Sequence, residues 1–142
     1  MIDKIKPYWR YLKYLLKHKK NVFSICWKKK MYIHAFTHDL SKFLPSEFIP
    51  YAQYFYGDKM AYQGKFNKAV NLHYKRNKHH WQHWVGRIMP QQYVQQMVCD
   101  WKAMSNIFGD TVRDYYNKNK DDINIHKHSR DLLEILIMQE KG

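Results

Sequence analysis

From Pro7 to about Lys30 the chain runs on without a further breaker. Leu12, Leu15, Leu16, Val22, Phe23 and Cys26 recur through it at helical spacing, with lysines between them. A stretch patterned this way buries one face of a long helix, and Pro7 suits its first turn. The rest of the chain has the same character. Only five Gly and four Pro interrupt 142 residues, and no strand-like alternation with turn dipeptides recurs. The expected fold is all-α: a compact single-domain bundle of about six helices over residues 1–142, a length that supports one core.

Local signals place the remaining elements. A short helix is expected from about Tyr32 to Lys42, followed by a break at Leu44-Pro45. Ser46 then caps a helix with Glu47 in its first turn, reaching Tyr56 and stopping at Gly57. Residues 57–64 look like a loop, and a fourth helix runs from about Lys65 to Arg76. Asn77 to Trp84 is a dense His/Trp segment. Met89-Pro90 opens a fifth helix, about Gln91 to Phe108, which Gly109 ends. A minor helix around Asp110 to Tyr116, a polar linker, and a last helix from about Ile125 complete the chain.

Several residues on the apolar faces do not belong in an oily core. Asp100 lies in the stripe Tyr93, Met97, Met104 of the fifth helix, where a carboxylate is costly unless paired or bound to a cation. His18 is three residues after Leu15 and four before Val22, and His73 follows Phe66, Ala69 and Val70. The second helix adds His38 and Asp39. The inward set is thus His18, His38, Asp39, His73 and Asp100, with His79 or His80 as a sixth member, and imidazole with carboxylate suits a divalent ion. Each member also has an ordinary alternative. His18 sits among lysines and can belong to a basic face, Asp100 can ion-pair, and His73 can be a hydrogen-bonded core histidine. His34, four residues before His38, reads as a surface or supporting residue.

Composition bears on partners. Lys and Arg total 25 against 12 Asp and Glu, a net charge of +13 that favours anionic ligands such as nucleotides, phosphorylated small molecules or nucleic acid. Lys75, Arg76 and Lys78 before His79-His80, with Trp81 and Trp84 after, can be read as a nucleic-acid patch or as the edge of a phosphate site. Cys26 and Cys99 read as buried thiols of a reducing compartment. Asp3, Lys4 and Lys6 leave no room for a secretory signal, and the longest apolar run, Leu132 to Met138, is broken by Glu134. A cytoplasmic protein with no membrane span is expected.

The order His18, His38-Asp39, Asp100 resembles the HD superfamily of metal-dependent phosphohydrolases, which is named for that doublet. His38-Asp39-Leu40-Ser41-Lys42 is similar to the superfamily's His-Asp-(Leu/Ile)-Gly-Lys form, with Ser41 in place of Gly. The resemblance implies one metal held by the early His, the doublet and the late Asp. In two-metal members extra histidines lie between doublet and late Asp, which correspond here to His73 and His79 or His80. Closer still, His38 to Phe43, the run from Ser46 and Glu47 to Phe55, Asn77-x-His79-His80-Trp81 and Met97 to Trp101 resemble a small uncharacterised family of bacterial and phage proteins. That likeness starts near His18 and fades after about Phe108.

The resemblance implies one or two divalent ions (manganese, iron or magnesium) and a hydrolase acting on a nucleotide-like or other phosphate ester. Lys42, Lys75 and Arg76 are the expected phosphate clamps, and Glu47 the expected base or water-orienting group. Tyr51, Tyr54, Trp81 and Trp84 are expected to wall the pocket. Two rivals stay open: a di-iron oxygenase of the same fold, and a non-enzymatic basic module that binds nucleic acid or an anionic nucleotide.

Overall fold

The computed structural model describes residues 2–140. Its spine is α1 (Ile2–Lys28), which begins upstream of the expected start. Asp3 in the first turn complements the helix dipole there, and Pro7 lies inside the helix instead of opening it. α1 contacts α3 (Pro45–Tyr56) along its first half and α2 (Tyr32–Thr37) and α5 (Gln91–Phe108) along its second. α4 (Lys59–Arg76) lies against α3, while α6 (Val112–Asn119) and α7 (Lys127–Gln139) lie against α5 and each other. Among the described residues there are seven α-helices, two 3-10 turns (Leu40–Phe43 and Trp81–Trp84) and no strand, so the all-α expectation holds.

Three apolar clusters hold this arrangement. Tyr11 and Leu15 of α1 meet Tyr51 and Ala52 of α3 and Ala69 of α4. Val22 and Cys26 of α1 meet Ala35 of α2 with Cys99 and Ala103 of α5, and both cysteines are free. Val94, Val98 and Trp101 of α5 meet Val112, Tyr116, Leu133 and Ile137 of α6 and α7. His18 stands between Leu15 of the first cluster and Val22 of the second, and Asp100 between Cys99 of the second and Trp101 of the third. The polar residues therefore lie at the junction of the three clusters.

Two segments depart from expectation. Residues 57–64 are not a loop: α4 starts at Lys59, because Asp58 accepts a hydrogen bond from the Ala61 N–H (3.0 Å) and supplies the missing cap. Gly64 sits on the exposed face with nothing near its missing side chain, so it breaks nothing. Ser46 is not a cap either. α3 is preceded by Leu44, starts with Pro45, and the Ser46 hydroxyl accepts a hydrogen bond from Arg76 instead (3.0 Å).

The region after α5 follows its signals. Gly109 closes α5 in the left-handed region (φ 77°), and Thr111 with Asp114 forms a reciprocal capping box for α6. Ser129 ties α7 to the start of α5: its hydroxyl donates to the Met89 carbonyl (3.0 Å) and accepts from the Met89 N–H (2.9 Å). Among the described residues no helix is long and apolar enough to cross a membrane.

Candidate metal centre

The second helix does not run through the His-Asp doublet. α2 ends at Thr37, His38 is extended (φ −52°, ψ 123°), and Asp39 adopts a left-handed conformation (φ 52°) before the 3-10 turn. Asp is among the residues that tolerate this region. Lys19 of α1 fixes the break by donating to the carbonyls of Phe36 (2.8 Å) and His38 (2.9 Å). The kink turns both side chains of the doublet inward and together, His38 Nε2 lying 3.4 Å from Asp39 Oδ2.

Around the doublet the expected ligands assemble in two groups. In the first, His18 Nε2 is 3.0 Å from Asp100 Oδ1 and 3.3 Å from His38 Nε2, and His38 Nε2 is 3.3 Å from Asp100 Oδ1. In the second, Asp39 Oδ1 is 3.0 Å from His79 Nε2, 3.3 Å from His73 Nε2 and 3.9 Å from His80 Nε2, and the His73 and His80 Nε2 atoms are 2.9 Å apart. Asp39 serves both groups, one carboxylate oxygen to each. Ligand atoms about 2.1 Å from a shared ion and separated by about 90–110° lie about 3.0–3.4 Å from one another. Most of these distances fall in that range.

Satisfaction of the polar atoms points the same way. Among the described residues Asp39 Oδ1, Asp100 Oδ1 and His79 Nε2 are buried and face only one another and neighbouring imidazoles, with no well-aligned hydrogen bond, and Asp39 Oδ2 has Lys42 as its one cationic neighbour. Buried carboxylate oxygens left so are expensive unless a cation answers them. Asp39, His73, His79 and His80 form one set close enough to hold an ion, and His18, His38 and Asp39 form another. The donor types fit manganese, iron or zinc better than a purely oxygen-liganded ion such as calcium.

The protonation states favour ligation. Burial, the largest influence, holds His38, His79 and His80 below the ordinary histidine value, so their ring nitrogens keep a free lone pair. Burial also acts on Asp39 and Asp100, but the imidazoles around them, His38 foremost, and Lys42 beside Asp39 outweigh it and hold both carboxyls well below the usual range. His73 is the exception: burial pulls it down, but the carboxylates of Asp39 and Glu47 on its two ring nitrogens outweigh that and push it up.

His73 has a built support. Its Nδ1–H donates to Glu47 Oε2 (2.8 Å), leaving Nε2 facing Asp39. Glu47 is fully buried and also accepts from Ser41 Oγ (3.0 Å) and Arg76 (3.0 Å), while Asn77 donates to Ser41 Oγ (2.8 Å). A carboxylate behind a ligating histidine fixes its tautomer and direction. Sequence reasoning missed Ser41 and Asn77 in this role, although Asn77 follows His73 by one helical turn. It also set His34 aside. That side chain is buried, its ring centroid lies 5.2 Å from that of His38 and 5.1 Å from that of His79, and these three form a further ion-sized set. The i, i+4 spacing to His38 was the available signal.

The expected phosphate clamps are engaged elsewhere. Lys42 Nζ is 2.7 Å from Asp39 Oδ2, and Arg76 is paired with Glu47. Lys75 lines a separate cavity of about 490 Å³ with Arg87 and His83. Tyr51 is buried in the first apolar cluster beneath Lys42, and Tyr54 stacks on Phe66 (3.8 Å). Trp84 donates to the Lys78 carbonyl and stacks on Tyr93, so the His/Trp segment does not present an open row of stacking faces for nucleic acid.

The centre opens to a cavity of about 240 Å³ whose lining includes His80, Asp100, Trp81 and Trp101 and, among the described residues, no Lys or Arg. A second cavity, about 450 Å³, touches His34 and His79 and includes Arg76 and Lys78.

A family model described as a family of unknown function (DUF5662) matches residues 7–139, and the chain belongs to that family. No curated protein matches the chain, and no solved structure does.

Proposed function

We propose that this DUF5662 chain is a metal-dependent hydrolase of phosphate esters built on an HD-like centre. The observation that carries the reading is Asp39: a buried carboxylate with one oxygen turned to His38 and the other to His73, His79 and His80, and a single lysine, Lys42, as its cationic partner. His18, His38, Asp39 and Asp100 would hold one divalent ion, and Asp39, His73, His79 and His80 a second. This order along the chain is that of the two-metal HD enzymes it resembles.

When bound, such ions supply Lewis acidity and acidify water within their reach. The chain's own residues do the rest. Glu47 holds the proton on His73 Nδ1, and Arg76 and Ser41 hold Glu47, so we assign Glu47 and Arg76 to positioning instead of proton transfer. Lys42 offsets the negative charge of Asp39 from the buried side. His80 and Asp100 face the aromatic mouth, where substrate meets the centre, and Trp81 limits water there.

The test is turnover. Protein loaded with manganese, iron or magnesium is assayed against a panel of phosphomonoesters, phosphodiesters and nucleotides. Release of phosphate or alcohol is expected with at least one class and is expected to vanish in Asp39→Ala and Asp100→Ala. Turnover that survives either substitution in a folded protein would reject the reading.

Among the described residues the aromatic mouth has no Lys or Arg, which favours one rival, a di-iron oxygenase acting on a less charged substrate. Iron content with substrate-dependent oxygen consumption, and no hydrolysis, would select it.

A further inference from the structure

The two cavities that touch the centre differ in chemistry. The one holding His34 and His79 carries Arg76 and Lys78. The one opening over His80 and Asp100 is walled by Tyr74, Trp81, Trp101 and Tyr115, and its remaining formal charge is Asp110. His80 and Asp100 are also the most open members of the two ligand groups, their side chains 16% and 10% exposed against 1–4% for the others. The candidate ligands are therefore most open toward the aromatic side. Tyr74 lies 5.3 Å from the His80 ring and Tyr115 lies 4.9 Å from Trp101, so rings flank the mouth from α4, α5 and α6.

We infer that this mouth is a binding slot for a flat, uncharged ring carried directly beside the metal-binding group of the substrate. This deepens the phosphate-ester reading and rests on it for the identity of the anionic group. Acid at the mouth repels a second anionic group there. The aromatic walls reward a planar apolar one, because offset or edge-to-face ring contacts add to simple burial. A cavity of about 240 Å³ lies below the usual range of about 300–1,000 Å³ for drug-sized ligands, so a single ring system suits it better than an extended molecule. The preferred esters are thus aryl or heteroaryl, with simple alkyl phosphates poor ligands.

The experiment measures binding, which needs no turnover. Manganese-loaded protein is titrated calorimetrically with two pairs: phenylphosphonate against methylphosphonate, and benzohydroxamate against acetohydroxamate. Each pair shares its metal-binding group and differs only in the ring. The ring-bearing member of a pair is expected to bind at least about tenfold more tightly. Trp81→Ala and, independently, the partly exposed Tyr115→Ala should each reduce that ratio below about threefold. Equal affinities within both pairs, ratios unchanged in both variants, or no binding by any of the four overturns the slot. Ring preference among hydroxamates with neither phosphonate bound keeps the slot and removes the phosphate reading.

Discussion

Glu47 lies one hydrogen bond away from His73 and has no route to the mouth, so its substitution separates support from chemistry. Glu47→Gln keeps the volume but removes the charge that orients His73. Metal affinity at the second ligand group is expected to fall by about 10–100-fold, measured by competitive titration with a coloured chelator, while the first group is spared. The buried imidazoles also set a pH dependence. Burial foremost pushes His34 from 6.5 down to about 3, so between those values the unfolded chain binds a proton that the folded chain refuses. In chelator, the contribution of His34 to stability is therefore full above pH 6.5 and is lost as pH falls through that window. Denaturant midpoints across that pH range check it, and His34→Gln is expected to flatten the decline.

Among the elements, α5 carries the clearest local code. Its Gly109 cap has φ 77°, which Ala adopts only with strain, so Gly109→Ala is expected to cost about 1 kcal/mol in a chemical denaturation series. Ser129→Ala strands the buried Met89 N–H and is expected to cost about 1–3 kcal/mol in the same series. Pro90 before α5 and Gly109 after it were both readable as boundaries, and helical spacing alone put His18 and Asp100 on buried faces. The kink at His38-Asp39 was not readable. It depends on Lys19, about twenty residues earlier, reaching the carbonyls of Phe36 and His38, a contact that exists only once α1 and α2 are side by side. The first turn of α4 was hidden for a different reason. Gly57 and Gly64 suggested a loop, and the Asp58 cap that overrides them is one residue in a polar stretch.

For the whole molecule, the centre sits where three apolar clusters converge, so ligand binding there is coupled to folding. A cation that binds only the native state adds about 2.7 kcal/mol when present at 100 times its dissociation constant. Chelation should lower the thermal midpoint, and restored manganese or iron should recover it. The candidate ligands come from α1, α4, α5 and the turns between helices, which explains why residue types were legible in sequence while their partition into two groups was not. Only coordinates reveal that one oxygen of Asp39 faces His38 and the other faces His73 and His79.

That shared carboxylate makes metal content the decisive quantity. Elemental analysis of protein purified without chelator should find two divalent ions per chain, fewer in His73→Ala, and almost none in Asp39→Ala despite a native circular dichroism spectrum. Metal-free wild-type protein that also takes up no ion on titration, or an Asp39→Ala variant with undiminished metal, would contradict the existence of the centre.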